Sequence, residues 1–257
     1  MSEAEDARLT LLGLPGLPEV LPGSDLAELL AASLSALQVE LRAADVLVLA
    51  QKIVSKSEGR LVELASVSPG RRARELAALT GKDARLVELI LSESSEVLRA
   101  QPDVLIVRHR CGFVMANAGI DRSNLAADAG QVLLLPLDPD ATAAALRAAL
   151  ARRCGVAPAV IISDSFGRAW RRGVVNVALG AAGVAALWDR RGEVDRAGRR
   201  LEVTEVGVAD ALAAAAGLVM GEAAEGIPAV LVRGFSCMAA PRTADALIRP
   251  LAEDLFR

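Results

Sequence analysis

The sequence predicts an α+β fold, and three observations carry that prediction. Short, continuous apolar runs such as Val46-Leu47-Val48-Leu49-Ala50 and Val160-Ile161-Ile162 have the length and bulk of buried strands. Segments with helical apolar spacing and recognisable cap residues lie between them. The two kinds do not alternate as regular βαβ units, so mixed strands and helices are favoured over a doubly wound sheet.

Taken in order, Leu9 to Leu14 (LTLLGL) is the first strand candidate, closed by the loop Pro15-Gly16-Leu17-Pro18. Ser24-Asp25 then cap a helix whose apolar residues recur at Leu26, Leu29, Leu30, Leu34 and Leu37. Val46–Ala50 follows as a buried strand. Pro69 and Gly81 bracket a helix over RRARELAALT, and Asp138-Pro139 and Gly155 bracket another rich in Ala and Arg. VLIVRHR reads as a strand, as does Val160–Ile162. Asp210 to Met220 reads as an Ala-rich helix, and Ala229–Val232 as the last strand. Without a repeat or a low-complexity linker, residues 1–257 read as a single domain, with room for two lobes.

Composition removes whole classes of function. With 53% hydrophobic and 24% charged residues, the chain as a whole is globular. A net charge of −3 and six aromatic side chains, none of them Tyr, argue against a nucleic-acid partner. The nearly apolar run from Val174 to Trp188 contains Asn176 and two glycines, and is too short to span a bilayer. The acidic opening MSEAEDAR is unlike a signal peptide, so a cytoplasmic location without membrane attachment is expected. Cys111, Cys154 and Cys237 are scattered and odd in number, and His109 is the only histidine. A thiolate or imidazole zinc site cannot be built from them, and His109 reads as a strand-end or loop residue. Metal chemistry here must use oxygen ligands, which select magnesium, manganese or calcium.

The familiar nucleotide signatures are missing. Gly81-Lys82-Asp83 lacks the upstream glycine and the hydroxyl of a P-loop, and the Rossmann glycine pattern does not occur. What remains are oxygen-rich turns. Ile162-Ser163-Asp164-Ser165 puts a carboxylate and hydroxyls at the end of a buried strand, and Ala118-Gly119-Ile120-Asp121 puts another carboxylate in a glycine turn. Two such carboxylates can hold a hard cation against phosphate, although such turns commonly hydrogen-bond their own backbone. The chain has 26 arginines and 3 lysines, and Lys52 and Lys56 lie in one stretch, Gln51 to Arg60. A lysine kept where arginine is the default suits a compact ammonium aimed at one phosphate oxygen; a solvated lysine at a strand end is the alternative.

Jointly, VLAQKIVSKSEGRLVEL, ANAGIDRSN, ISDSFGRAWRRG and the tail TEVGVADALAAAAGLVMGEAAEGIPAVLVRG resemble the F420-0:gamma-glutamyl ligase family. GLPEVLPGSDL resembles that family's opening signature, so the likeness runs from about Leu11 to Phe256. A nitroreductase-like C-terminal extension, fused to this domain in some relatives, is not expected. The resemblance implies a family-specific, two-lobed α+β fold and an amide-forming ligase. In such an enzyme GTP phosphorylates the terminal carboxylate of F420-0, and L-glutamate attacks the acyl phosphate to build the γ-glutamyl tail of coenzyme F420. It further implies two Mg²⁺ or Mn²⁺ ions, with K⁺ as a further candidate, and a homodimer.

Carried over motif by motif, the resemblance makes Asp121 and Asp164 ligands of the first cation, and Ser165 and Glu222 ligands of the second. Relatives often have Thr at the Ser165 position and Gln at the Glu222 position. Leu17, Pro18, Glu19, Val20, Gln51, Lys56 and Asn124 fall on the guanine-nucleotide site, as do Met220, Gly221, Glu222, Ala223, Ala224, Glu225, Gly226 and Ile227. Asp121, Asp164 and Lys56 are the expected catalytic residues; if Lys56 alone carries the lysine role, Lys52 is dispensable. Arg168, Trp170 and Arg171 suit a deazaflavin ring with a phosphodiester arm, the alternative being a packed Trp with surface ion pairs. Two rival functions remain at this level: a metal-dependent phosphoanhydride hydrolase and a non-catalytic deazaflavin-binding module.

Overall fold

The computed structural model describes residues 8–123 and 130–254. In chain order the strands are β1 (Thr10–Gly13), β2 (Val46–Ala50), β3 (Leu61–Glu63), β4 (Ser94–Gln101), β5 (Val104–His109), β6 (Val114–Ala116), β7 (Gln131–Leu133), β8 (Ala159–Arg168), β9 (Arg171–Ala182), β10 (Leu187–Asp189), β11 (Glu205–Gly207) and β12 (Ala229–Arg233). The helices are α1 (Leu26–Ala36), α2 (Gln51–Ser57), α3 (Arg71–Thr80), α4 (Ala84–Ser92), α5 (Pro139–Cys154) and α6 (Val208–Met220). This is the expected α+β arrangement.

One five-stranded sheet, ordered β1-β12-β2-β8-β9, forms the frame. Its only parallel pair is β2 with β8; the other neighbours are antiparallel. The strands alternate their apolar side chains between two faces. Leu47, Leu49, Val160 and Ile162 pack with α1 and α5 on one face, and Val46, Val48 and Ile161 pack with α6 on the other. Burial on both faces is why β2 and β8 read as continuous apolar runs. Asp45, only 1% exposed, fixes the entry to β2: Arg233 grips its carboxylate through Nε (2.8 Å) and Nη2 (2.7 Å), and its carbonyl accepts from the first residue of β8. Residues between β2 and α5 build a second packing centre, in which β4-β5-β6 and helices α3 and α4 enclose Leu76, Val87, Ile90, Leu105 and Val107.

Local chemistry explains the boundaries. The Asp25 carboxylate accepts from the Glu28 amide at the start of α1, and Asp138 accepts from Ala141 at the start of α5, where Pro139 opens the helix. Gly81 and Gly155 close α3 and α5 in the left-handed conformation. Two readings change. The stretch after β2, where a strand end was one alternative, is a helix, α2. The oxygen-rich turn expected after Val160–Ile162 is strand, because β8 runs on to Arg168 against β9. The apolar run from Val174 to Trp188 lies mostly in β9, and no helix among the described residues is long and apolar enough to cross a membrane.

Gly180 shows how tightly α5 is seated on this sheet. A Cβ there would lie 2.2 Å from the Pro139 carbonyl oxygen, a backbone atom that cannot swing aside. Gly180→Ala should therefore cost about 1–3 kcal/mol by overpacking. Urea unfolding checks this, and wild-type stability would mean that the first turn of α5 yields freely.

Candidate active site

The site forms where β2 ends beside the middle of β8. Ala50 pairs with Ser163 across the parallel ladder, and α2 starts at the next residue, Gln51. Because α2 is helical, Lys52 and Lys56 are four residues apart on one face rather than on a strand end. Their ammonium groups nevertheless take different partners. Lys56 Nζ pairs with Glu19 at 2.5 Å, joining α2 to the loop after β1. Lys52 Nζ lies 2.8 Å from Asp121 Oδ2 and donates to Ser123 Oγ at 2.6 Å. Lys52 thus belongs to the site as well: it holds one of the two carboxylates expected to bind metal.

Asp121 is presented by an unusual turn. Asn117, Ala118 and Gly119 have φ of 53°, 54° and 68°, three consecutive residues in the left-handed region. Non-glycine residues adopt it only at a cost, and Ala118 does so fully buried. A side chain at Gly119 would collide with Met115 Cε at 2.7 Å. The turn ends with Asp121 bridged to Leu133, and Ser123 then binds the carboxylate through its amide (2.7 Å) and hydroxyl (2.9 Å). Burial raises the Asp121 pKa, but the Lys52 ammonium and the Ser123 donors outweigh it, and the carboxyl ends below its ordinary value. Asn124 lies outside the described residues.

Asp164 sits on β8 just after a register shift between Ile162 and Ser163. Its environment is the opposite of Asp121's. Although its side chain borders open cavity, the surrounding protein encloses it, and this desolvation pushes its pKa up to about 7. The Ser165 amide opposes the shift, while the charges of Asp121 and Glu222 add to it. A recessed carboxyl flanked by two other acids is a position that a cation stabilises.

Two cavities meet here. The first, about 350 Å³, is lined by Leu17, Pro18, Glu19 and Val20 from the loop after β1, by Gln51 and Lys56 of α2, and by Met220, Gly221, Glu222, Ala223, Ala224, Glu225, Gly226 and Ile227. Every described residue expected at the nucleotide site thus borders one hollow. The second, about 670 Å³, is lined by Asp121, Arg168 and Arg171 together with Phe166, Met115 and Ile120. Lys52, Asp164, Ser165 and Glu222 line both, so they form the partition between the two. Trp170 is not in either wall; it is 82% exposed at the tip of the β8–β9 hairpin, with φ of 58°. Arg168 Nη2 donates to the Arg172 carbonyl at 3.3 Å, and its buried Nη1 has no partner among the described residues.

His109 is at the end of β5 as expected, but it is fully buried, not a loop residue. Its Nε2 lies 3.5 Å from Glu93, which Arg60 (2.7 Å) and Arg110 (3.1 Å) also hold. Burial would raise the Glu93 pKa, yet His109 and the two arginines lower it to about 2. This cluster ties β5 to α4 and lines neither cavity.

Among the described residues no three His, Cys, Asp or Glu side chains gather as a ready-made metal cage. The donor set is instead two separated carboxylates, a third acid and a hydroxyl, with the Lys52 ammonium already paired to one of them. That fits a cation of the magnesium type, which keeps waters and takes one or two carboxylates along with substrate phosphate oxygens. The signal that sequence reasoning missed was helical spacing: Lys52 and Lys56 lie four residues apart just after a strand.

A family model described as F420-0:Gamma-glutamyl ligase matches residues 16–234. A coenzyme F420:L-glutamate ligase from Methanothermobacter thermautotrophicus is 46% identical over 251 residues, covering 97% of this chain and 99% of the relative. A protein of the same name from Methanopyrus kandleri is 49% identical over 243 residues, covering 93% and 94%. Another from Methanocaldococcus jannaschii is 43% identical over 213 residues, covering 83% and 84%.

The raised Asp164 pKa has a stability consequence. Below the unfolded value of 3.8 the group is protonated in both states, and its contribution is fully present. As pH rises from about 4 to about 7, the unfolded chain releases this proton before the folded one does, so folded stability is lost. In metal-free protein the wild type should lose more thermal stability across that window than Asp164→Asn, and the variant should be the more stable at pH 7. Parallel pH curves for the two proteins would overturn the assignment.

Proposed function

The chain belongs to the F420-0:gamma-glutamyl ligase family, and on that premise we propose that it joins L-glutamate to F420-0 at the expense of GTP. The observation that carries this reading is the shared partition: two cavities of small-molecule size separated by Lys52, Asp164, Ser165 and Glu222. GTP occupies the first cavity, with Glu19 and Lys56 at one end and the loop of residues 220–227 along its side. F420-0 occupies the second, where Arg168 and Arg171 supply cationic donors for its phosphodiester.

The reaction runs across the partition. The γ-phosphoryl group passes to a carboxylate oxygen of F420-0, releasing GDP and leaving an acyl phosphate. The amine of glutamate then attacks the acyl carbon, loses a proton, and expels inorganic phosphate as the amide forms. Asp121, Asp164, Ser165 and Glu222 would hold divalent cations, which would neutralise the triphosphate charge. The protein's own part is to hold both substrates in line and to exclude water from the acyl phosphate. Lys52 and Lys56 bring the two positive charges that α2 contributes to the first cavity. The same family membership carries the proposal of a homodimer.

The direct test is mass spectrometry of F420-0 incubated with GTP, manganese and L-glutamate. A product heavier by one or more glutamyl residues, with GDP and phosphate released in step, is expected. Phosphate release independent of glutamate would favour a phosphoanhydride hydrolase, and a complete lack of turnover would favour a binding module. Lys56→Arg keeps the charge but alters length and donor geometry, and should lower turnover by on the order of 100-fold. Wild-type rates in that variant would reduce Lys56 to a generic charge.

The second cavity makes its own prediction. Arg171→Ala should raise the apparent F420-0 constant about tenfold, the loss of one charge-assisted bond of roughly 1.5–3 kcal/mol, while the GTP constant stays put. Unchanged F420-0 constants in both Arg171→Ala and Arg168→Ala would remove the arginines from substrate binding.

A further inference from the structure

Asn176 is a residue the reaction scheme above does not use. It lies on β9 directly opposite Ser165, so the two side chains share one face of the sheet, the face covered by α6. It is only 9% exposed and borders the first cavity near Met220 and Glu222. Its amide nitrogen has one partner, the Met220 thioether at 3.8 Å, and its amide oxygen has none among the described residues. Thioether sulfur accepts hydrogen bonds and does not donate them, so this orientation leaves the oxygen as the unpaired atom.

Two separate structural costs support this side chain. A buried acceptor without a donor is destabilising, and an apolar residue of similar size would remove that penalty. The second cost is Gly217, well inside α6, where glycine weakens a helix relative to alanine. A Cβ at Gly217 would stand 2.8 Å from Asn176 Cγ and 2.9 Å from its Nδ2, so the glycine makes room for the carboxamide. The fold thus gives up helix propensity and a hydrogen bond to keep one polar group at a cavity wall.

We propose that the Asn176 carboxamide oxygen is a further ligand for a hard divalent cation, or for its bound water, at the corner formed by Ser165 and Glu222. The proposal rests on the cation reading of this site. The chemistry of the corner is uniform: a hydroxyl, a carboxylate and a carboxamide, all oxygen donors suited to magnesium or manganese. Rotation about the last side-chain torsion, which is soft for an amide, turns the oxygen toward the cavity that Asn176 already lines. A bound ion gives that oxygen the partner it otherwise lacks.

The test is Mn²⁺ binding to the whole protein without nucleotide or F420-0, followed by electron paramagnetic resonance, with metal-free thermal unfolding alongside. Asn176→Ala and Asn176→Leu should each weaken Mn²⁺ binding about tenfold or more, and Asn176→Asp, which keeps an oxygen in place, should preserve or tighten it. Asn176→Leu should leave metal-free stability unchanged or raised. Gly217→Ala, which crowds the carboxamide, should also weaken binding, but it should add little once Asn176 is Ala. Wild-type Mn²⁺ affinity in Asn176→Ala and Asn176→Leu would overturn the assignment while leaving the cation reading intact, as would a Gly217→Ala loss that persists undiminished in the Asn176→Ala background. No Mn²⁺ binding by the wild type would remove the cation reading and this assignment together.

Discussion

The parallel pairing of β2 with β8 is the constraint on which the site depends. Parallel neighbours run in the same direction, so the residues that follow Ala50 and Ser163 leave their last shared pair at one end of the ladder. One continuation is α2, with Lys52 in its first turn; the other is the second half of β8, with Asp164 and Ser165, which stays paired with β9. An antiparallel pair would have placed these groups at opposite ends. The register of this pair is anchored at its far end by Asp45, which Arg233 holds and whose carbonyl receives β8. Slippage by one residue would turn Asp164 to the other face of the sheet.

From this geometry follows an uneven distribution of charge. Asp121 is satisfied by Lys52 and Ser123 and stays ionised, whereas Asp164 is desolvated and repelled by its neighbours and resists ionisation. Two carboxylates of identical chemistry are thus driven apart by their surroundings, a pattern that marks functional sites more often than structural ones. Lys52 neutralises only one member of the acidic group. The remaining negative charge is concentrated on the partition between the cavities, where a cation and a polyphosphate can share it.

Much of the frame was legible in the sequence. The caps at Asp25, Asp138, Gly81 and Gly155 and the apolar runs of β2 and β12 mark their own boundaries, and the run in β8 marks its start, because local hydrogen bonding and two-sided burial leave direct traces in residue type. Asp121 was legible as an oxygen-rich turn, and Asp164 as a carboxylate after an apolar run, although that run continues as strand rather than turning. What could not be read was tertiary. QKIVSKS has β-branched residues and no side-chain cap, so its helical state depends on the packing of Ile53 and Val54 into the core. The pairing of Lys52 with Asp121 joins residues far apart in the chain, and nothing local announces it. Asn176 was hidden inside an apolar run that strand burial alone accounts for.

Several departures from good local structure gather at the site: Ala118 in a left-handed turn, Gly217 within a helix, the unpaired amide oxygen of Asn176, the unpaired guanidinium nitrogen of Arg168 and the enclosed Asp164 all lie at the two cavities or in the elements that form their walls. Elsewhere a few buried polar atoms, such as Arg147 Nε, also lack a partner among the described residues, while Asp45, Glu93 and Asp140 are well served, the last of which collects amides from Ala181, Ala244 and Asp245. A stable fold tolerates a few penalties of 1–3 kcal/mol each only if the remainder is well satisfied. Those at the site lie where bound ligands can return what the protein alone forgoes. Ligand binding is therefore expected to stabilise the folded chain by linkage, and the effect reaches both sides of the sheet because Asp164 and Ser165 belong to both cavities.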